Sequence, residues 1–147
     1  ALTNTRWGFA TDQAVMSRLA TAPTSRWAAA YQMPSDTLTV SAVTVGDTPI
    51  QFDTYGDKIY TNASVSEEVV VDYIFRATEA TWPSYFTLPV EYSMASLLAV
   101  SVARDASLSQ LLEQKAQMFM LQARGRDSQR QTTQKLNTSR YMAQRRS

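Results

Sequence analysis

The hydrophobic period of this chain changes once, and that change limits what it can fold into. Up to residue 76, apolar residues alternate with polar ones in short runs, the period of two that belongs to a β-strand with one buried face. From Pro89 they recur at steps of three and four, which is the period of a helix. The fold class expected is therefore α+β: an antiparallel β-meander (residues 1–76) packed against two long antiparallel helices (residues 83–125), with an extended basic C-terminal arm (residues 126–147). At 147 residues the chain is one domain's worth of sequence, enough to bury about 68–70% of the surface its unfolded form exposes.

Within the first half, RWAAAYQM (residues 26–33) has aromatic ends and stops at Pro34, whose fixed φ and missing N–H bar continuation in a central ladder. Ser35-Asp36 reads as a turn. LTVSAVTV (residues 38–45) alternates through Leu38, Val40 and Ala42 and slips at Ala42-Val43, which predicts a bulge or burial on both faces. GDTP (residues 46–49) is a turn and IQFDTY (residues 50–55) alternates again. Gly56-Asp57 then supplies the positive φ for a hairpin into KIYTN. EEVVVDYIF (residues 67–75), β-branched and aromatic, is the strongest strand, and four to five antiparallel strands are expected in all. Residues 1–25 fit a short helix or a strand, strand pairing being preferred. They lack a domain start, so an N-terminal stretch is expected to be missing from the sequence.

In the second half, Val90, Met94, Leu97, Leu98 and Val102 share one helical face, and Pro89, tolerated in a first turn, marks the start. Asp105-Ala106 interrupts the pattern. Ser107 with Gln110 three residues on is a capping-box signature. Leu108, Leu111, Leu112, Lys115, Met118 and Phe119 then carry a second helix, about 25 Å long, to Gly125, a natural residue just past a helix end.

The net charge of +1 conceals an asymmetry. From Arg124 onward there are seven Lys/Arg against Asp127 alone, a net of +6, whereas residues 1–123 hold seven basic and twelve acidic residues, a net of −5. A tail of this kind suits an anionic surface. Its arginines outnumber its lysines six to one, which favours multi-bonded recognition of carboxylates or phosphates. From Arg126 the apolar face is lost, so the segment cannot offset its own ordering entropy, and its 22 residues reach about 70 Å when extended. The residues expected to dock on a partner are Arg126, Arg130, Lys135, Leu136, Arg140, Tyr141, Met142, Arg145 and Arg146, the charges pairing and the apolar side chains filling pockets. Two partners fit this chemistry, an acidic protein flank and nucleic acid.

Composition narrows the chemistry further. The chain has no Cys and no His, which removes disulfides, Cys/His zinc sites, thiol nucleophiles and Ser-His or Cys-His catalysis. Asp53 and Asp57 flank Gly56 and make a conceivable carboxylate pair, set against a solvated turn. Glu67-Glu68 reads as an exposed strand entry, and Gly8, Gly46, Gly56 and Gly125 are too scattered for a phosphate loop. Trp82, Tyr85 and Phe86 surround Pro83; their neighbours Glu79, Thr81 and Ser84 favour a core cluster over a base-stacking platform. The expectation is a protein that is not an enzyme and needs no cofactor or metal. No apolar run approaches the ~18–20 residues of a membrane span and the first residues carry no signal-peptide pattern, so a soluble, non-secreted protein without a membrane partner is expected.

WGFA (residues 7–10) and RWAAAYQMPSDTL (residues 26–38) resemble the W-x-F-A and W-x-x-A-Y-x-L-P-x-D segments of phage head-to-tail adaptors, the tail tubular protein A type of short-tailed phages and their relatives. IYTN (residues 59–62), VVVDYIFR (residues 69–76), WPSYF (residues 82–86) and QARGRDSQ (residues 122–129) fall in the same order as similar segments of that family. Met33 replaces the usual Leu, and Thr37 stands where Cys is frequent. The resemblance implies a structural virion protein at the head–tail junction of the tail, assembled in the host cytoplasm. It implies a homo-oligomeric ring, typically a dodecamer, beneath the portal protein. Such a ring extends the DNA channel and offers a platform to a downstream tail protein, nozzle or tail tube, and DNA passes without sequence-specific binding. The C-terminal arm is similar in placement to one that climbs along the portal. Family members usually carry helical sequence before the first Trp, consistent with an incomplete N-terminus. A nucleic-acid-binding module using the basic tail is the alternative.

Overall fold

The computed structural model describes residues 2–24 and 26–130. In these residues seven strands precede two helices: β1 (Thr11–Val15), β2 (Ala29–Gln32), β3 (Thr37–Val45), β4 (Thr48–Pro49), β5 (Phe52–Tyr55), β6 (Lys58–Thr61), β7 (Val69–Phe75), α1 (Ser84–Ser101) and α2 (Ala106–Arg130). The class is α+β, as the change of period implies.

The strands do not form one meander. They make two antiparallel sheets, of order β1-β7-β3-β4 and β2-β6-β5. β7 is the reason. Val69, Val71, Tyr73 and Ile74 are all buried, so this strand needs neighbours on both edges and cover on both faces. It takes β1 on one side, Ala14 opposite Val71, and β3 on the other, Val43 opposite Val71. The segment around residues 11–15 is thus a strand. β6 takes β2 and β5. The two sheets meet across a core in which Tyr31 and Ile59 of the smaller sheet pack with Val43, Val69, Val71 and Tyr73 of the larger.

Local chemistry explains the corners. Gly46 and Asp47 both adopt left-handed φ, 54° and 64°, as a two-residue hairpin loop between β3 and β4 demands; Gly56 at 60° opens the β5–β6 turn. The bulge in β3 falls between Val40 and Ala42, beside the slip in alternation, with a second irregularity between Thr37 and Thr39.

Three helix boundaries differ from the sequence expectation. α1 begins after Pro83, whose carbonyl accepts the Phe86 and Thr87 N–H groups at 2.9 and 3.1 Å. Pro89 is therefore buried inside the helix and not in its first turn. The cap of α2 is Asp105, not Ser107: its Oδ1 accepts the Leu108 N–H at 2.9 Å and its carbonyl accepts the Ser109 N–H at 3.1 Å. Finally, α2 runs through Gly125 to Arg130, so Gly125 is not its terminator, and Arg126 and Arg130 stand on a helix instead of an extended arm. A helical Gly costs about 1 kcal/mol relative to Ala, and tertiary contacts of the following turn outweigh it. A Cβ at Gly125 meets nothing within 4 Å. Gly125→Ala is accordingly expected to raise stability by about 0.5–1 kcal/mol in urea unfolding.

The helices also do not lie on a sheet along their length. They touch each other far more than any strand. Their junction with the sheets is a second core cluster of Trp7, Ala10, Ile74, Ala77, Phe86 and Ala123, at the end of the hairpin where α1 begins and α2 finishes.

Candidate functional site

The contact between α1 and α2 is made by small residues. Ser96, Ala99, Ala116 and Ala123 are buried along it. Ser96 Oγ donates to the Ser109 carbonyl and Ser109 Oγ to the Ser96 carbonyl, both at 3.0 Å. Ser109, Ala116 and Ala123 are spaced by seven, which returns them to one helix face. At the middle of the hairpin Tyr92 stacks on Phe119, centroids 5.1 Å apart, with Lys115 Nζ 6.0 Å from the Tyr92 centroid.

The large apolar side chains consequently point outward. Leu97 on α1 is 73% exposed, Val102 just past its end 76% and Leu121 on α2 68%, and Met94, Leu98, Val100, Leu108, Leu111 and Met118 are also exposed. This corrects the expectation that Met94, Leu97, Leu98 and Val102 form the buried face; of that set Val90 alone packs on the base cluster. The physical reason is that α1 is apolar nearly all round, with Glu91 its single charged residue, so periodicity does not choose a side. Close approach of two backbones does choose, and it selects Ser and Ala. The seven-residue spacing of Ser109, Ala116 and Ala123 was the available signal. Between the helices an apolar groove of about 550 Å³ opens on one face, lined by Leu97, Val100, Ala116, Met120, Ser96 and Glu113.

At the base, Asp127 is buried and holds two donors, the Gly8 N–H on Oδ2 and the Tyr85 hydroxyl on Oδ1, each at 2.8 Å. Burial, and next the bond to Asp127, push the Tyr85 phenol above its ordinary value, while Arg130 pulls it the other way. Gly8, Phe9, Tyr85, Asp127 and Arg130 line a cavity of about 310 Å³. The last turn of α2 is thereby fastened to the N-terminal segment. Of the residues expected to dock on a partner, Arg126 and Arg130 are exposed on this turn. Lys135, Leu136, Arg140, Tyr141, Met142, Arg145 and Arg146 lie outside the described residues.

The other candidates are dispersed. Asp53 accepts from the Tyr55 hydroxyl at 3.3 Å and Asp57 from Gln32 Nε2 at 3.0 Å, and both are exposed. The Gln32 hydrogen bond holds the Asp57 carboxyl below its ordinary value, which makes it a weaker proton acceptor than a free carboxylate. Trp82, Tyr85 and Phe86 belong to the base cluster, with Trp82 Nε1 donating to the Ala77 carbonyl at 3.0 Å. Among the described residues no group of three or more carboxylates could hold a metal ion, and no helix is long and apolar enough to cross a membrane. No protein-family model matches this chain, and no curated protein matches it.

Proposed function

We propose that this protein is a head-to-tail adaptor: a structural virion component that assembles as a ring beneath the portal, extends the DNA channel and carries the next tail protein. The observation that supports this reading best is the helical hairpin. A monomer seldom keeps a contiguous apolar surface of more than a few hundred Å² in water, and here both helices display large apolar side chains along their length. Such a helix pair is built to be covered. The charge distribution fits the same reading. A body of net −5 around a channel repels the DNA backbone and lets it slide, whereas the basic C-terminal residues, starting from the fastened end of α2, can reach an acidic neighbour.

The test is co-purification with the portal protein of the same particle. Intact protein is expected to bind portal, and deletion of residues 131–147 to weaken binding at least tenfold while residues 1–130 remain folded by near-UV circular dichroism. Portal binding indifferent to that deletion overturns the docking role, and failure to bind portal at all overturns the adaptor reading.

A further inference from the structure

We infer that copies of this chain pack side by side through two different edges of the hairpin, the outer edge of α1 in one copy against the outer edge of α2 in the next. The inference deepens the adaptor reading and rests on it for the closure of such contacts into a ring.

The buried residues orient each helix. With Ser96 and Ala99 turned toward α2, a rotation of 100° per residue places Met94 and Leu98 on the far side of α1, while Leu97 stands at the rim of the groove. With Ala116 and Ala123 turned toward α1, it places Leu111, Met118 and Leu121 on the far side of α2. The hairpin is a two-helix layer with an apolar margin on both flanks. The α2 flank carries no charge among Leu111, Gln114, Met118 and Leu121, and the α1 flank carries only Glu91.

Two flanks facing opposite ways decide the kind of assembly. A two-fold dimer matches one flank with itself and leaves the other in water. Joining unlike flanks covers both in every copy, and that head-to-tail arrangement generates rings. The levels are close as well. Ser96 lies beside Ser109 in the antiparallel pair, so Leu98 and Leu111, each two residues further along its own helix, stand about 6 Å apart in height, and a rotation about an axis parallel to the layer brings them across the seam within the span of a short cross-linker. Size argues in the same direction. An 18-residue helix is about 27 Å long and about 10 Å wide, a footprint of roughly 300 Å², well short of the ~800 Å² per partner of a stable pairwise complex. One seam does not hold a pair. Closure does, because each copy is then gripped on both flanks and the last contact is intramolecular.

The absence of cysteine allows a clean test. Leu98→Cys and Leu111→Cys are introduced singly and together, at exposed positions where folding is not at stake, and the full chain is treated with a short bis-maleimide at millimolar protein. The doubly substituted chain is expected to give a ladder of covalent dimers, trimers and higher species, and each single variant to remain monomeric. Within one chain the two thiols point away from each other on opposite flanks. Absence of a ladder overturns the inference, and so does a single Leu98→Cys variant that couples to itself, which marks a two-fold dimer. In sedimentation, Leu98→Glu is expected to abolish the concentration-dependent association of the otherwise unaltered chain, and unchanged association counts against the seam. A ladder without portal binding leaves the seam and removes the adaptor reading; portal binding without a ladder does the reverse.

Discussion

Phe86→Ala is expected to destabilise the fold by about 3–5 kcal/mol, the range for removing a fully buried aromatic side chain. Phe86 is inaccessible to solvent and lies at the centre of an aromatic cluster, 5.1 Å from Trp7 and 5.1 Å from Trp82, both edge-on, and 4.9 Å from Phe9. Its removal takes away both its own transfer energy and the contacts of three rings that cannot all collapse into the space. Domains of this kind have about 5–15 kcal/mol in total, so the change consumes a large share. Its location adds a second consequence. The cluster is the junction between the hairpin and the sheets, so the loss uncouples the two parts rather than loosening one strand. Near-ultraviolet circular dichroism of Trp7 and Trp82 should collapse at a lower urea concentration than the far-ultraviolet signal of the helices. Phe86→Leu keeps most of the volume and is expected to cost less than half as much. A loss below 1 kcal/mol for the alanine variant, with coincident transitions, would refute the role given to this junction.

The change of hydrophobic period was enough to read α+β and the existence of both helices, because each depends only on residues near in sequence. Pairing was not legible. Val69 to Phe75 reads as a doubly buried strand, but alternation specifies the faces of a strand and not its neighbours, and here the neighbours are β1 and β3. The helix ends are not legible for a related reason. Ser107 carries a local signature, yet Asp105 reaches the Leu108 N–H first. Gly125 carries a stop signal, yet Asp127 two residues later is held by partners 119 and 42 positions away. The outward leucines are the least legible. A sequence rich in apolar residues on every side of a helix looks like a core helix to any argument that assumes one chain. The same feature becomes informative once Ser96, Ala99, Ala116 and Ala123 are seen to occupy the contact.

Asp127→Ala is expected to cost about 3 kcal/mol, because it leaves both the Gly8 N–H and the Tyr85 hydroxyl without the carboxylate that accepts them, and bonds to a charged acceptor are worth about 1.5–3 kcal/mol each before relaxation. Tyr85→Phe removes a single donor and is expected to cost about half as much. Combined, the two changes should fall well short of additive, since the second has little left to break. The pair also has a pH signature. The folded Tyr85 phenol titrates above its unfolded value of about 10, so its share of stability is fully present below that value and declines as pH rises through the folded one. Urea midpoints measured from pH 8 to 11 should therefore fall more steeply for the intact protein than for Tyr85→Phe; parallel curves would rule the assignment out. On the proposed adaptor reading, position adds a functional corollary. Asp127 fastens the last turn of α2, from which residues 131–147 depart, so releasing it lets that turn unwind and spreads the starting point of the basic segment over many positions. The effective concentration of the segment at its docking surface drops, and portal binding should weaken by less than deletion of residues 131–147 produces but more than Gly125→Ala, which leaves the fastening intact.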